Sequence, residues 1–221
     1  MQKLIKNILR ECTMRNFIKV LAVLIILNIS VLYSQTPDKD DCYKHLNDKY
    51  GKMNSVSFKF NSPDVKNFQG SIIAVKGNKY VIVTKERAVY CNGGNIWNYL
   101  IEDNKVLISI YDNSNSSPMS IEKFFFNFLE RYTPSELTES TSSLGTKSYV
   151  LQLAPKSEKS FDIDDIKIWI DPKNYIIRSI KIKIAGKIQT LNIEDLVLDK
   201  KYPDKTFEFV PTGKEQIIDF R

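Results

Sequence analysis

Residues that do chemistry are scarce in this chain of 221 residues. It holds one histidine, three cysteines and eight glycines. It contains no GxSxG, Walker, GxGxxG or HExxH pattern, so the common hydrolase, nucleotide and zinc-protease chemistries have no foothold. His45 has no cysteine, serine or carboxylate partner at motif spacing and reads as an exposed side chain. Cys91-Asn92-Gly93-Gly94 places a thiol in a tight turn, but no base stands by to deprotonate it. Asp162, Asp164 and Asp165 lack the glycine and distal glutamate of a calcium loop, and read as a solvated turn. No cysteine belongs to a CxxC pair, which leaves a zinc or redox site unsupported. No internal repeat of about 20–50 residues appears, which argues against a propeller or solenoid. We therefore expect no enzymatic activity, no metal and no cofactor.

An electrostatic footprint is also lacking. The formal charge is +6, but residues 1–34 hold five of the 32 cations and one of the 26 anions, leaving the remainder near +2. Such a chain offers no basic surface of the kind nucleic acid demands. The N-terminal excess has its own reading. From Met14, the basic Arg15 and Lys19 precede the apolar run Val20–Leu27, and small Ser34 stands before Gln35. That order is a secretory signal peptide over 1–34, cleaved near Ser34/Gln35, with Met14 as an alternative start. An uncleaved anchor is the rival reading, although the run falls short of the roughly 20 apolar residues a span requires. A single domain over 35–221 would remain. It would hold Cys42 and Cys91. In an oxidising compartment these could form a disulfide closing a loop of about 50 residues and worth ~3–4 kcal/mol, or stay as two buried thiols.

The rest of the chain is mostly strand and turn. Cys42, Leu46, Tyr50 and Met53 fall on one face of a helix predicted over 38–53. Strands follow at 56–60, 71–76, 79–85, 88–91, 96–101 and 106–111. Gly77-Asn78 and Asn92-Gly93-Gly94-Asn95 form turns between them. Ile121, Phe124, Phe125, Phe128, Leu129 and Tyr132 then recur at helical spacing. Ser117-Pro118 suits the start of a helix over 120–132, and Pro134 its end. That aromatic stripe reads as core cover, as a lid over a cavity, or as both. Further strands are predicted at 136–141, 147–154, 164–171, 175–184, 187–199 and 206–210, with turns at Asp171-Pro172-Lys173-Asn174 and Ala185-Gly186. The class is α+β, mainly antiparallel: a large meander that must curl to bury one face.

Several local patterns, taken in order, resemble the periplasmic outer-membrane lipoprotein carrier (LolA) family. Asn54-Ser55-Val56-Ser57-Phe58-Lys59-Phe60 is similar to its first strand, and the segment from Gly70 through Lys76-Gly77 to Ile82 to its following hairpin. Asn92-Gly93-Gly94-Asn95-Ile96-Trp97-Asn98-Tyr99 resembles its Asp-Gly-x-x-x-Trp-x-Tyr. Leu153-Ala154-Pro155-Lys156 and Phe207-Glu208-Phe209-Val210-Pro211 resemble its C-terminal motifs. The resemblance covers nearly all of 38–221. It implies an incomplete, half-open β-barrel of about 11 strands with a helical lid over an apolar cavity. It also implies a monomeric carrier that takes acylated lipoproteins from an inner-membrane lipoprotein-releasing transporter to an outer-membrane acceptor.

On that reading the dry strand face supplies the lipid cavity through Ile72, Ala74, Tyr80, Ile82, Ile166, Ile168, Ile180, Ile182 and Ile184. The lid helix supplies Phe124, Phe125, Phe128 and Leu129. The family's latch arginine corresponds to Lys76, which offers a point charge but no planar fork. The alternative cargo is a phospholipid or glycolipid. A structural or regulatory envelope protein, or an enzyme with an unrecognised site, is the third class.

Overall fold

Among the described residues of the computed structural model, twelve strands pair into one sheet. The structure describes residues 36–112, 125–142, 145–156, 163–184 and 186–221, and for Ile163, Asp164 and Ile184 the backbone alone. The signal peptide expected over 1–34, the helix start at Ser117-Pro118, Phe124, Asp162 and Ala185 lie outside these residues. Asp38–Arg221 forms one compact unit.

The first element is helix α1 (Lys39–Tyr50), with Asp40 and Asp41 at its positive end and Lys49 at its negative end. Its buried stripe is Cys42, Leu46 and Tyr50. The helix stops where the Gly51 N–H closes on the Asn47 carbonyl at 2.8 Å, three residues short of the predicted end. Met53 is nonetheless buried just beyond it.

Six strands follow: β1 (Ser55–Asn61), β2 (Gln69–Val75), β3 (Lys79–Thr84), β4 (Arg87–Asn92), β5 (Asn95–Leu100) and β6 (Lys105–Ile110). Each pairs antiparallel with the next. Val75 pairs with Lys79, so the β2–β3 turn spans three residues, Lys76 to Asn78, with φ 90° at Gly77 and 59° at Asn78, left-handed values that glycine and asparagine accept. Gly70 has a different purpose. A Cβ there would stand 2.2 Å from the Val83 carbonyl oxygen and 2.8 Å from the Phe60 ring.

The continuous helix expected over 120–132 is interrupted. Phe125 is helical, but Asn127 leaves helical geometry at φ −123°, ψ 9°, and Phe128–Arg131 forms a separate short helix, α2. The break lets Phe126, off the predicted stripe, turn into the core at 4% exposure. Pro134 does not end a helix but lies within β7 (Tyr132–Thr141), at a register shift on the sheet's outermost strand. An edge bulge is where a sheet tolerates a residue with no N–H to give.

The second meander runs through β8 (Lys147–Pro155), β9 (Ile163–Ile170), β10 (Ile177–Ile184) and β11 (Lys187–Leu198). The spatial order is β12-β6-β5-β4-β3-β2-β1-β11-β10-β9-β8-β7, so the β1–β11 pairing joins the two meanders. The sheet ends at β12 and β7 and is not closed. Within β11, Asp195 takes φ 53° where the register against β1 slips between Ser57 and Lys59. This bulge moves the inward positions from Leu191 and Ile193 to Leu196 and Leu198, leaving Asp195 outside to pair with Lys59 at 2.9 Å.

The strand predicted at 206–210 is not one. Asp204–Phe207 is a 3-10 turn packed on β3 and β4, with Phe207 at 1% exposure. Phe209 follows between Tyr90 and Tyr99, with ring centroids 5.8 and 5.3 Å away. Val81, Ala88, Val106 and Ile108 are buried too, yet stand apart from the main core cluster. Strand alternation puts them on the opposite, outer face, where the 3-10 turn packs on β3 and β4. The chain then adds β12 (Gln216–Asp219) beside β6 in parallel, a pairing the sequence did not announce.

Candidate apolar binding pocket

The main core occupies the sheet's inner face, and there it does not close completely. A pocket with about 790 Å³ of empty space, its opening to solvent included, lies between the two meanders. Val56 and Phe58 of β1 and Ile72 of β2 form one wall; Ile166 of β9 and Ile177, Ile180 and Ile182 of β10 form the facing one. Leu191, Ile193 and Leu196 of β11 connect them. Tyr50 and Met53 line the α1 end, and Phe125 and Phe128 complete the lining. The Phe58 and Phe125 rings meet edge to face at 5.7 Å.

Every lining side chain is hydrophobic, and the single polar handle is occupied. The Tyr50 hydroxyl donates to the Tyr175 carbonyl at 3.2 Å and accepts the Ile177 N–H at 3.0 Å. Burial pushes this phenol up to about 12, partly offset by that N–H and by the nearby Arg178. The pocket therefore presents neither a charge nor a free hydrogen-bonding group. Nothing in it can orient a polar reactant.

Four of the nine cavity residues expected from the sequence line this pocket: Ile72, Ile166, Ile180 and Ile182. Ala74, Tyr80 and Ile168 are buried in the surrounding core, and Ile82 packs against it. The side chain of Ile184 is not described. Of the lid residues, Phe125 and Phe128 line the pocket, Leu129 is buried beside them, and Phe124 lies outside the described residues.

Lys76 is exposed in the β2–β3 turn. Its backbone N–H bonds the Asn54 carbonyl at 3.0 Å, and its ammonium meets no hydrogen-bond partner among the described residues. The polar tie on α2 comes from α1. The Tyr43 hydroxyl hydrogen-bonds the carbonyl of Leu129 and lies 3.0 Å from that of Tyr132. Sequence reasoning placed neither this contact nor the contribution of β11. Tyr43 stands one residue after Cys42, off the predicted stripe, and the Asp195 bulge breaks the alternation that would have exposed Leu196.

Cys42 and Cys91 are both buried free thiols, the second of the two readings their spacing allowed. Burial pushes the Cys42 thiol up to about 11, the reverse of what a nucleophile or metal ligand requires. Among the described residues no group of three or more histidine, cysteine or acidic side chains could hold a metal ion. No described helix is long and apolar enough to cross a membrane.

The architecture is thus an open, mostly antiparallel sheet whose inner face carries an apolar pocket. No family model and no curated protein matches the sequence. Among solved structures the chain is similar to a LolA superfamily protein of Nitrosomonas europaea, at 12% identity and TM-score 0.36, over 79% of this chain and 99% of that one. It is also similar to the lipoprotein LppX of Mycobacterium tuberculosis (13% identity, TM-score 0.46, 75% and 97%). An uncharacterized conserved protein of Thermus thermophilus matches at 10% identity and TM-score 0.49, over 81% and 98%.

Proposed function

We propose that this protein is an exported, monomeric carrier that shelters the acyl chains of lipoproteins in the pocket beneath Phe125 and Phe128. It moves them through the periplasm from a donor in the inner membrane to an acceptor at the outer membrane. The observation that carries this reading is the lining, with fourteen hydrophobic side chains and no unpaired polar group. A triacylated lipoprotein exposes ~40–45 methylenes, and at ~0.8 kcal/mol each their hydration costs on the order of 30 kcal/mol. Such a molecule does not cross water unaided. The pocket supplies the apolar surface it needs, and no catalytic step is required.

Pocket size favours a second reading in one respect. If a methylene takes about a water's share of liquid volume, ~30 Å³, the space holds at most roughly 26 of them. That ceiling holds one acyl chain and falls short of two, so either the pocket opens further for a triacylated cargo or the cargo is a smaller free lipid. Native mass spectrometry of protein purified without detergent separates these readings. Intact acylated proteins support the first, and free phospholipid or glycolipid the second. Ile180→Trp, which fills the pocket, should bind neither while keeping its melting temperature within a few degrees. If wild-type and Ile180→Trp protein both carry no apolar molecule, the carrier reading fails.

A further inference from the structure

At one rim of the sheet, beside the pocket wall, hydrophobic side chains stand in water among unpaired lysines. The 62–68 loop between β1 and β2 is closed by the Ser62 N–H on the Phe68 carbonyl at 2.8 Å and turned by Asn67 at φ 63°. This well-formed loop leaves Val65 47% and Phe68 36% exposed. Asp64 binds it to the second meander by accepting the Thr190 N–H at 2.5 Å. The neighbouring β10–β11 hairpin tip presents Ile188, 56% exposed, directly opposite Lys183. The rim is continuous with the pocket. Leu191, next to Thr190, lines it, and Phe60, whose ring lies 5.5 Å from that of Phe68, pairs with the lining residue Ile193.

The charge around this patch has one sign in excess. Lys66, Lys183 and Lys187 are exposed at the two tips, and Lys181 and Lys167 lie cross-strand from each other just behind. Among the described residues none of the five makes a salt bridge. Among the described residues the opposing carboxylates nearby are Asp64, already engaged by Thr190, Asp165, paired in register with Lys183, and Glu194, which accepts from the Asn61 amide at the base of the loop. Exposed aliphatic and aromatic tips ringed by lysine suit a surface that is apolar beneath and anionic above, which is the interface of a bilayer containing acidic lipids.

We propose that the 62–68 loop and the β10–β11 tip form a docking surface for an anionic membrane. Val65, Phe68 and Ile188 enter the headgroup boundary while Lys66, Lys183 and Lys187 meet lipid phosphates. Docking there brings the pocket wall against the bilayer, so that an acyl chain passes between them with little exposure to water. The geometry stands without the carrier reading, which only gives it a purpose.

The test is local, because residues 1–34 carry an apolar run of their own. Full-length Val65→Trp is mixed with vesicles of equal parts phosphatidylethanolamine and phosphatidylglycerol bearing brominated acyl chains, and tryptophan quenching is read against the unsubstituted chain. The expected result is quenching at position 65 and none at Val210→Trp on the outer-face C-terminal segment. Phosphatidylcholine vesicles, or a Lys66→Glu, Lys183→Glu, Lys187→Glu background, should weaken it on the order of 100-fold. Absence of quenching overturns the proposal, as does equal quenching by zwitterionic and anionic vesicles. Protection of Val65→Trp by self-association in sedimentation overturns it in favour of an interface between copies. Failure here with lipid still in the pocket leaves the carrier reading intact, and an empty pocket with quenching at position 65 leaves the docking surface intact.

Discussion

Tyr43 of α1 and Leu129 of α2 are joined through the tyrosine hydroxyl and the leucine backbone carbonyl, 86 positions apart in the chain. The same hydroxyl lies 3.0 Å from the carbonyl of Tyr132, where α2 gives way to β7. A short helix has too few internal hydrogen bonds to hold itself, so its position depends on such ties. Tyr43→Phe keeps the ring and deletes the tie. It should cost about 1 kcal/mol and raise amide hydrogen exchange over 125–132 while leaving β8–β10 protected. Lys76→Leu is the comparison. If a lysine latch governs the cover, lipid release changes in Lys76→Leu; if Tyr43 does, release accelerates only in Tyr43→Phe.

Gly70 offers a sharper test of packing. Its missing side chain makes room for the Phe60 ring and for the approach of Val83. Phe60 cannot retreat easily, since it also pairs with Ile193 across the β1–β11 join. Gly70→Val should therefore destabilise the fold by about 1–3 kcal/mol in urea unfolding, despite the β-propensity of valine. A neutral or stabilising result would mean that β1 and β2 separate without cost at that point.

What could be read from the sequence follows the range of the interactions. The β10 alternation through Ile180 and Ile182 and the Gly77-Asn78 turn are set by adjacent residues, and both were legible. Where distant partners decide, reading failed. Phe207-Glu208-Phe209 alternates as a strand would, but Phe207 is captured by the outer face of β3 and β4. The pairing of β12 with β6 joins Gln216 to Lys105 across more than a hundred residues, and no local signal encodes it. The pocket was half legible for the same reason. Ile72, Ile166, Ile180 and Ile182 follow strand alternation, whereas Leu196 depends on a bulge and Tyr50 on where a helix ends.

Tyr50 links the pocket to pH. Its hydroxyl donates to Tyr175 and accepts from Ile177, and burial raises it to about 12 from an ordinary 10.0. A group raised in the folded state contributes stability fully present below its unfolded value and lost as pH climbs through the folded one. The loss should fall between about pH 10 and 12 and reach on the order of 2–3 kcal/mol. Tyr50→Phe should flatten that part of the curve, as followed by phenolate absorbance alongside circular dichroism. An unchanged alkaline limb would show that the other buried tyrosines carry the transition.

The outer-face core separates stability from binding. Phe207 is 1% exposed in the 3-10 turn packed on β3 and β4, outside the core cluster that borders the pocket. Phe207→Ala removes a large side chain from a layer built by a single segment and should cost about 3–5 kcal/mol. The neighbouring ties, Lys79 to Asp204 at 2.7 Å and Tyr202 to Ser57 at 2.8 Å, are partly solvated and cannot offset that loss. Below its lowered melting temperature the variant should bind a fluorescent fatty acid with wild-type affinity, because Phe207 is not part of the pocket lining. A parallel fall in affinity would show instead that the C-terminal segment sets the curl of the sheet and, through it, the width of the pocket.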